Sequence, residues 1–109
     1  MNIRLSRDEI RLRITKDEAS KLLVSSRIDD EIFYNPSQRF SFGVFLSDNF
    51  TLTSSEYDIY LGIPRTNLEL MINGKTKDEL ECRRKLTIGK NEMLVVFEID
   101  AFTKKRNKL

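Results

Sequence analysis

The sequence predicts an α+β domain: mainly antiparallel β-structure, laid out as a sheet or closed into an eight-stranded barrel, with two helices and the order ββαββ occurring twice. Two patterns lead to that class. Apolar and polar residues alternate along most of the chain, the period of a strand with one buried face. Helical spacing of apolar residues occurs at two places, each directly after a strand and each beside a Thr-x-x-Glu sequence.

Ile3 and Leu5 alternate with polar neighbours, Ser6-Arg7-Asp8 marks a turn, and Ile10, Leu12 and Ile14 resume the alternation, so the chain opens on a hairpin. Thr15-Lys16-Asp17-Glu18 then has the form of a capping box, in which hydroxyl and carboxylate satisfy the orphan amides of a helix start. That helix runs to about Ser26, with Ala19, Leu22 and Leu23 as its buried stripe. Strands follow at 28–34 and 38–46, joined at Asn35-Pro36, and Phe40, Phe42, Val44 and Leu46 share one face of the second. Ser47-Asp48-Asn49 ends it. A short strand at 50–53 and a longer one at 57–63 come next, with Ile59, Leu61 and Ile63 alternating until Pro64 stops them. Thr66-Asn67-Leu68-Glu69 offers a second capping box for a short helix through Leu68, Met71 and Ile72, with Gly74 as its C-terminal stop. Residues 79–88 and 92–100 form the last hairpin around Gly89-Lys90-Asn91. Consecutive Leu94, Val95, Val96 and Phe97 imply burial of the final strand on both faces.

Offset by 49 residues, Ile10, Leu12, Ile14, Lys16, Ala19, Leu22 and Leu23 fall on Ile59, Leu61, Ile63, Arg65, Leu68, Met71 and Ile72. Two origins fit: an internal duplication, or two strand-to-helix turns obeying the same physics. Closure of eight strands into a barrel with approximate two-fold symmetry would remove exposed edges.

With 109 residues the chain is expected to form a single domain at 1–103, followed by a basic, disordered tail at 104–109. Charge supports that division. Residues 1–54 are neutral, residues 55–103 carry −2, and the tail carries +4 from Lys104, Lys105, Arg106 and Lys108. The chain has no His, which removes the commonest general base and metal ligand. Four scattered Gly residues make no phosphate-cradling loop, and no cofactor or metal is expected. Cys82, the lone cysteine, reads as a buried thiol in a reducing compartment. No apolar run is long enough to span a bilayer and the start lacks a signal-peptide core, so a cytoplasmic protein without membrane contact is expected.

Opposite the apolar stripes, at spacing two along the strands, sit Glu9, Arg11 and Arg13, then Arg39 and Ser41, then Tyr60, then Glu81, Arg83 and Lys85, with Glu98 on the last strand. If that side is the concave side of a barrel, its guanidinium groups can grip a phosphate or carboxylate bidentately. If it is one wet face of a sheet, the same charges pair across strands, each pair worth little. Arg84 is out of pattern on the face of Leu80, Cys82, Leu86 and Ile88, and marks a β-bulge, a snorkelling side chain or an interior ligand-binding charge. Phe33, Phe40, Phe42, Phe45 and Phe50 cluster about the second hairpin as core, with Phe45, Tyr34 and Tyr60 available for self-association. Glu56 with Asp58, and Asp29-Asp30-Glu31, read as solvated acidic turns rather than cation sites.

The opening Ile3-Arg4-Leu5 with Glu9-Ile10-Arg11-Leu12-Arg13-Ile14-Thr15, and the closing Leu94-Val95-Val96-Phe97-Glu98-Ile99-Asp100-Ala101-Phe102, resemble an uncharacterised family of short bacterial proteins, a domain of unknown function. The duplicated element order is also similar to that of CYTH-like triphosphate-tunnel proteins. That likeness implies an eight-stranded tunnel binding polyphosphate among Arg, Lys and Glu side chains. Where those proteins open with Glu-x-Glu-x-Lys, this chain has Glu9-x-Arg11-x-Arg13, which takes one carboxylate from a divalent metal and argues against hydrolysis. With no recognisable catalytic set, the expected protein is a small non-catalytic binding or interaction module, self-associating through a strand edge or the Phe45/Tyr60 face, or partnered by an unidentified protein. The alternative is an anion-binding barrel taking an anionic small molecule on Glu9, Arg11, Arg13, Arg39, Tyr60, Glu81, Arg83 and Lys85. Weak nucleic-acid binding through the tail is a third reading, disfavoured by the −2 of residues 55–103.

Overall fold

The computed structural model describes residues 1–101, so the basic tail lies outside the described residues. Its elements are β1 (Asn2–Leu5), β2 (Glu9–Thr15), α1 (Lys16–Ser25), β3 (Arg27–Asn35), β4 (Gln38–Leu46), β5 (Thr51–Ser55), β6 (Asp58–Ile63), α2 (Arg65–Ile72), β7 (Glu81–Ile88) and β8 (Asn91–Asp100). The twice-repeated ββαββ order is therefore observed.

Local chemistry explains most boundaries. At the head of α1, Glu18 N–H donates to Thr15 Oγ1 at 3.1 Å while Thr15 N–H donates to Glu18 Oε1 at 2.9 Å, which is the expected capping box. Ser26 ends that helix in the left-handed region, at φ 69°, with its N–H on the Leu22 carbonyl. The second capping box forms elsewhere than expected. Pro64 is the N-cap of α2 and makes no side-chain bond; the helix starts at Arg65, so Thr66 already lies inside it. A reciprocal Thr-x-x-Glu pair closes instead at Thr76 and Glu79, on the turn before β7, which delays that strand to Glu81. Asn73, not Gly74, caps the end of α2, and the Cβ that Gly74 lacks would stand 2.8 Å from Glu79 Cβ.

The strands form two four-stranded sheets rather than a barrel. Sheet A has the order β1-β2-β8-β7 and sheet B the order β3-β4-β6-β5. Every hairpin is antiparallel, but the central pairs, β2 with β8 and β4 with β6, are parallel. Each half of the chain thus gives one hairpin to each sheet, and exchanging β1-β2-α1-β3-β4 for β5-β6-α2-β7-β8 converts one strand order into the other. Closure would bury charge: Asp30 on β3 lies opposite inward-facing Phe42, and Arg84 on β7 lies opposite inward-facing Val95. Inward charges on edge strands keep edges apart.

One apolar core joins both sheets and both helices. Leu12, Ile14, Ala19 and Leu22 are buried in it, as are Leu61, Ile63, Leu68 and Met71 at the positions 49 residues on. Val95, Val96 and Phe97 have no exposed surface, so β8 is covered on both faces as its sequence implied. Cys82 is buried, and that burial pushes its thiol pKa up against the lowering influence of Arg84. No bulge occurs at Arg84, whose register with Val95 is unbroken; its exposed guanidinium snorkels to lie 5.5 Å from the Phe50 ring.

Candidate functional site

Six of the expected site residues lie together on the outer face of sheet A. Strand register sets them in three rows across β2, β8 and β7: Glu9, Leu94, Lys85; then Arg11, Val96, Arg83; then Arg13, Glu98, Glu81. This face is open, not the concave wall of a tunnel. Val96, set in register between Arg11 and Arg83, nevertheless has no exposed surface.

Glu98 is the hub of this face. It is only 8% exposed, and its Oε1 accepts from Arg13 Nε at 3.0 Å while its Oε2 accepts from Arg11 Nη1 at 3.4 Å. Arg11 also donates to Glu9 at 3.4 Å and lies 3.9 Å from Glu81, which in turn holds Arg83. Arg13 reaches Asp100 at 4.0 Å. Partial burial works against the charge on Arg11, but hydrogen bonds and Coulomb attraction from Glu9 and Glu98 outweigh it and raise its pKa above that of a free guanidinium. Chemically the face is a neutralised ion-pair lattice. A phosphate entering it must displace a carboxylate from Arg11, Arg13 or Arg83.

Two shallow clefts adjoin the lattice on either side of Lys77. One, of about 240 Å³, includes Arg13, Glu98 and Asp100; the other, of about 540 Å³, includes Asp78, Glu81 and Arg83. Each mixes both signs of charge. Among the described residues no three His, Cys, Asp or Glu side chains are grouped to hold a metal ion.

Arg39 and Tyr60 do not join the other six. They occupy the outer face of sheet B, where Arg39 pairs with Glu31 at 3.3 Å and the Arg27 guanidinium stacks over the Tyr60 ring at 4.4 Å. Here two central positions lack side chains, Gly43 and Gly62; Asp29 and the Ile28 carbonyl of β3 crowd the first, and Thr51 with the Phe45 ring crowds the second. The Cβ that Gly62 lacks would lie 2.8 Å from the Phe45 ring. Phe45 and Tyr60 are consequently half-buried. Exposed apolar surface collects instead at the far end of this sheet, at Ile32, Phe33 and Tyr34 on β3 and at Tyr57 in the β5–β6 turn.

Sequence reasoning placed Glu98 on the charged face without seeing it as the hub, and passed over Asp100 and Arg27. The available signal was Glu98 itself, a carboxylate set in the most apolar strand of the chain.

Fold and face together define a small α+β protein of two mixed sheets with an internally paired charged surface. The profile of DUF7009, a family of unknown function, matches residues 1–101, and the chain belongs to that family. No curated protein and no solved structure matches it. The closed tunnel implied by the CYTH-like likeness is not formed.

Proposed function

We propose that this chain is a non-catalytic interaction module, cytoplasmic and soluble, that associates with further copies of itself through sheet B. One observation carries the reading: Ile32, Phe33, Tyr34 and Tyr57 are 47%, 61%, 55% and 49% exposed at one end of a sheet whose edge strand β3 has no neighbouring strand on its outer side among the described residues. Large aromatic side chains left in water beside free backbone groups are the composition of a contact surface. The Phe45 and Tyr60 face, by contrast, is already covered by Arg27 and by its own rings.

Anion binding is the weaker reading, because Arg11, Arg13, Arg39 and Arg83 each hold a carboxylate. A rise in melting temperature with millimolar polyphosphate would favour it. Sedimentation velocity over a concentration series tests the main reading. The expected result is concentration-dependent association that weakens in Phe33→Ala/Tyr34→Ala; a strict monomer throughout would overturn it.

A further inference from the structure

The outer edges of the two sheets carry opposite charges at matching positions. On β3 the run is Asp29-Asp30-Glu31, and on β7 it is Arg83-Arg84-Lys85. Asp30 lies opposite Phe42 of the neighbouring strand and Arg84 lies opposite Val95, so each run is centred on the out-of-pattern inward charge of its own edge. An edge of one sign repels its like and blocks self-pairing. Two edges of opposite sign repel their own kind and attract each other. Resting on the self-association reading above, we propose that copies of this chain join edge to edge, β3 of one copy adding antiparallel to β7 of the next.

Backbone geometry selects a register. Ser26 accepts from Leu46 N–H on β4, and Leu80 accepts from Ile99 N–H on β8, so even-numbered residues of both edge strands turn their backbone groups inward. Odd-numbered residues therefore face out. Among the described residues, three of their groups meet local side chains: the Arg27 carbonyl accepts from Ser25 Oγ, the Glu31 N–H donates to Asp30 Oδ1, and the Arg83 carbonyl accepts from Arg84 Nη1. An antiparallel pairing that sets Glu31 against Arg83 and Asp29 against Lys85 joins odd residues to odd, as a ladder requires. In that register Asp30 meets Arg84, Ile28 meets Leu86 and Ile32 meets Cys82. Over residues 28–32 and 82–86 charge meets opposite charge and apolar meets apolar, with Arg27 against Thr87 and Phe33 against Glu81 at the two ends, and the outer faces of sheets B and A become one continuous surface.

Because each copy offers one edge of each sign, the contact is head-to-tail. Charge exchange tests it. Variant one carries Asp29→Lys and Asp30→Lys; variant two carries Arg84→Glu and Lys85→Glu, leaving Arg83 on Glu81; circular dichroism confirms that each is folded. In sedimentation velocity each variant alone should associate at least about tenfold more weakly than the parent chain, since attractive cross-strand pairs become repulsive. An equimolar mixture should regain association, because reversed β3 then meets reversed β7. Unchanged association in either variant, or a mixture no stronger than its parts, overturns the edge pairing while self-association elsewhere survives. A parent chain that never associates overturns both.

Discussion

Sheets A and B share a strand order but cover their outer faces by opposite means. In sheet A the central strand β8 presents Val96 and Glu98; Arg11 and Arg83 flank the buried Val96, and Arg11 and Arg13 pair with Glu98. In sheet B the corresponding strand β4 presents Ser41, Gly43 and Phe45; β3 backbone closes on Gly43, and the Phe45 ring lies over Gly62 of β6. One face is held by ion pairs with partly dehydrated groups, the other by close backbone approach. Symmetric topology thus constrains the inward residues strongly and the outward ones hardly at all, since only the inward ones share a core.

The largest expected effect breaks the close approach in sheet B. A methyl group at position 43 would stand 2.3 Å from the Ile28 carbonyl and 2.9 Å from Asp29 Cα, both backbone atoms that cannot rotate away. Gly43→Ala should therefore cost about 3 kcal/mol in urea unfolding, as overpacking does. Next comes the hub of sheet A. Glu98→Ala leaves Arg11 and Arg13 facing each other without their shared acceptor, and should cost about 2 kcal/mol, discounted from a fully buried pair because both arginines reach water. Arg39→Ala, in a pair whose members are 61% and 44% exposed, should cost less than about 0.5 kcal/mol. Equal costs for the last two would erase the distinction between a structured lattice and a surface pair.

The smallest effect is a pH dependence. Glu79 has its pKa lowered by the backbone N–H groups of Lys75 and Thr76 and by the Thr76 hydroxyl. A lowered folded value means that the stabilisation is complete above the unfolded value of about 4.3 and disappears as pH falls through the folded one. Glu79→Gln should thus narrow the difference in stability between neutral and acid conditions. An unchanged difference would show that the turn before β7 does not depend on this carboxylate.

Period-two alternation shows which residues of each strand share a face, and together with the two helically spaced stripes it makes all eight strands, both helices and the outward charges of each strand legible. It does not say which strand lies next to which. Arg13 meets Glu98 across 85 residues, and that meeting follows from the parallel pairing of β2 with β8, which no local pattern encodes. Arg39 and Tyr60 looked equivalent to the other candidates for the same reason: facing outward is readable, but the sheet is not. The misplaced second capping box has a simpler cause. Two Thr-x-x-Glu sequences compete within residues 66–79, and Pro64, with its fixed φ, settles the helix start before Thr66 can cap it.

The interleaving of hairpins also sets an order of assembly. Every strand of sheet B lies within residues 27–63, whereas sheet A joins residues 9–15 to 94–100. A chain emerging from the ribosome can complete sheet B while β1 and β2 wait without their parallel partner, and the greater sequence separation makes sheet A the slower to form. The first hairpin made is the last to find its place.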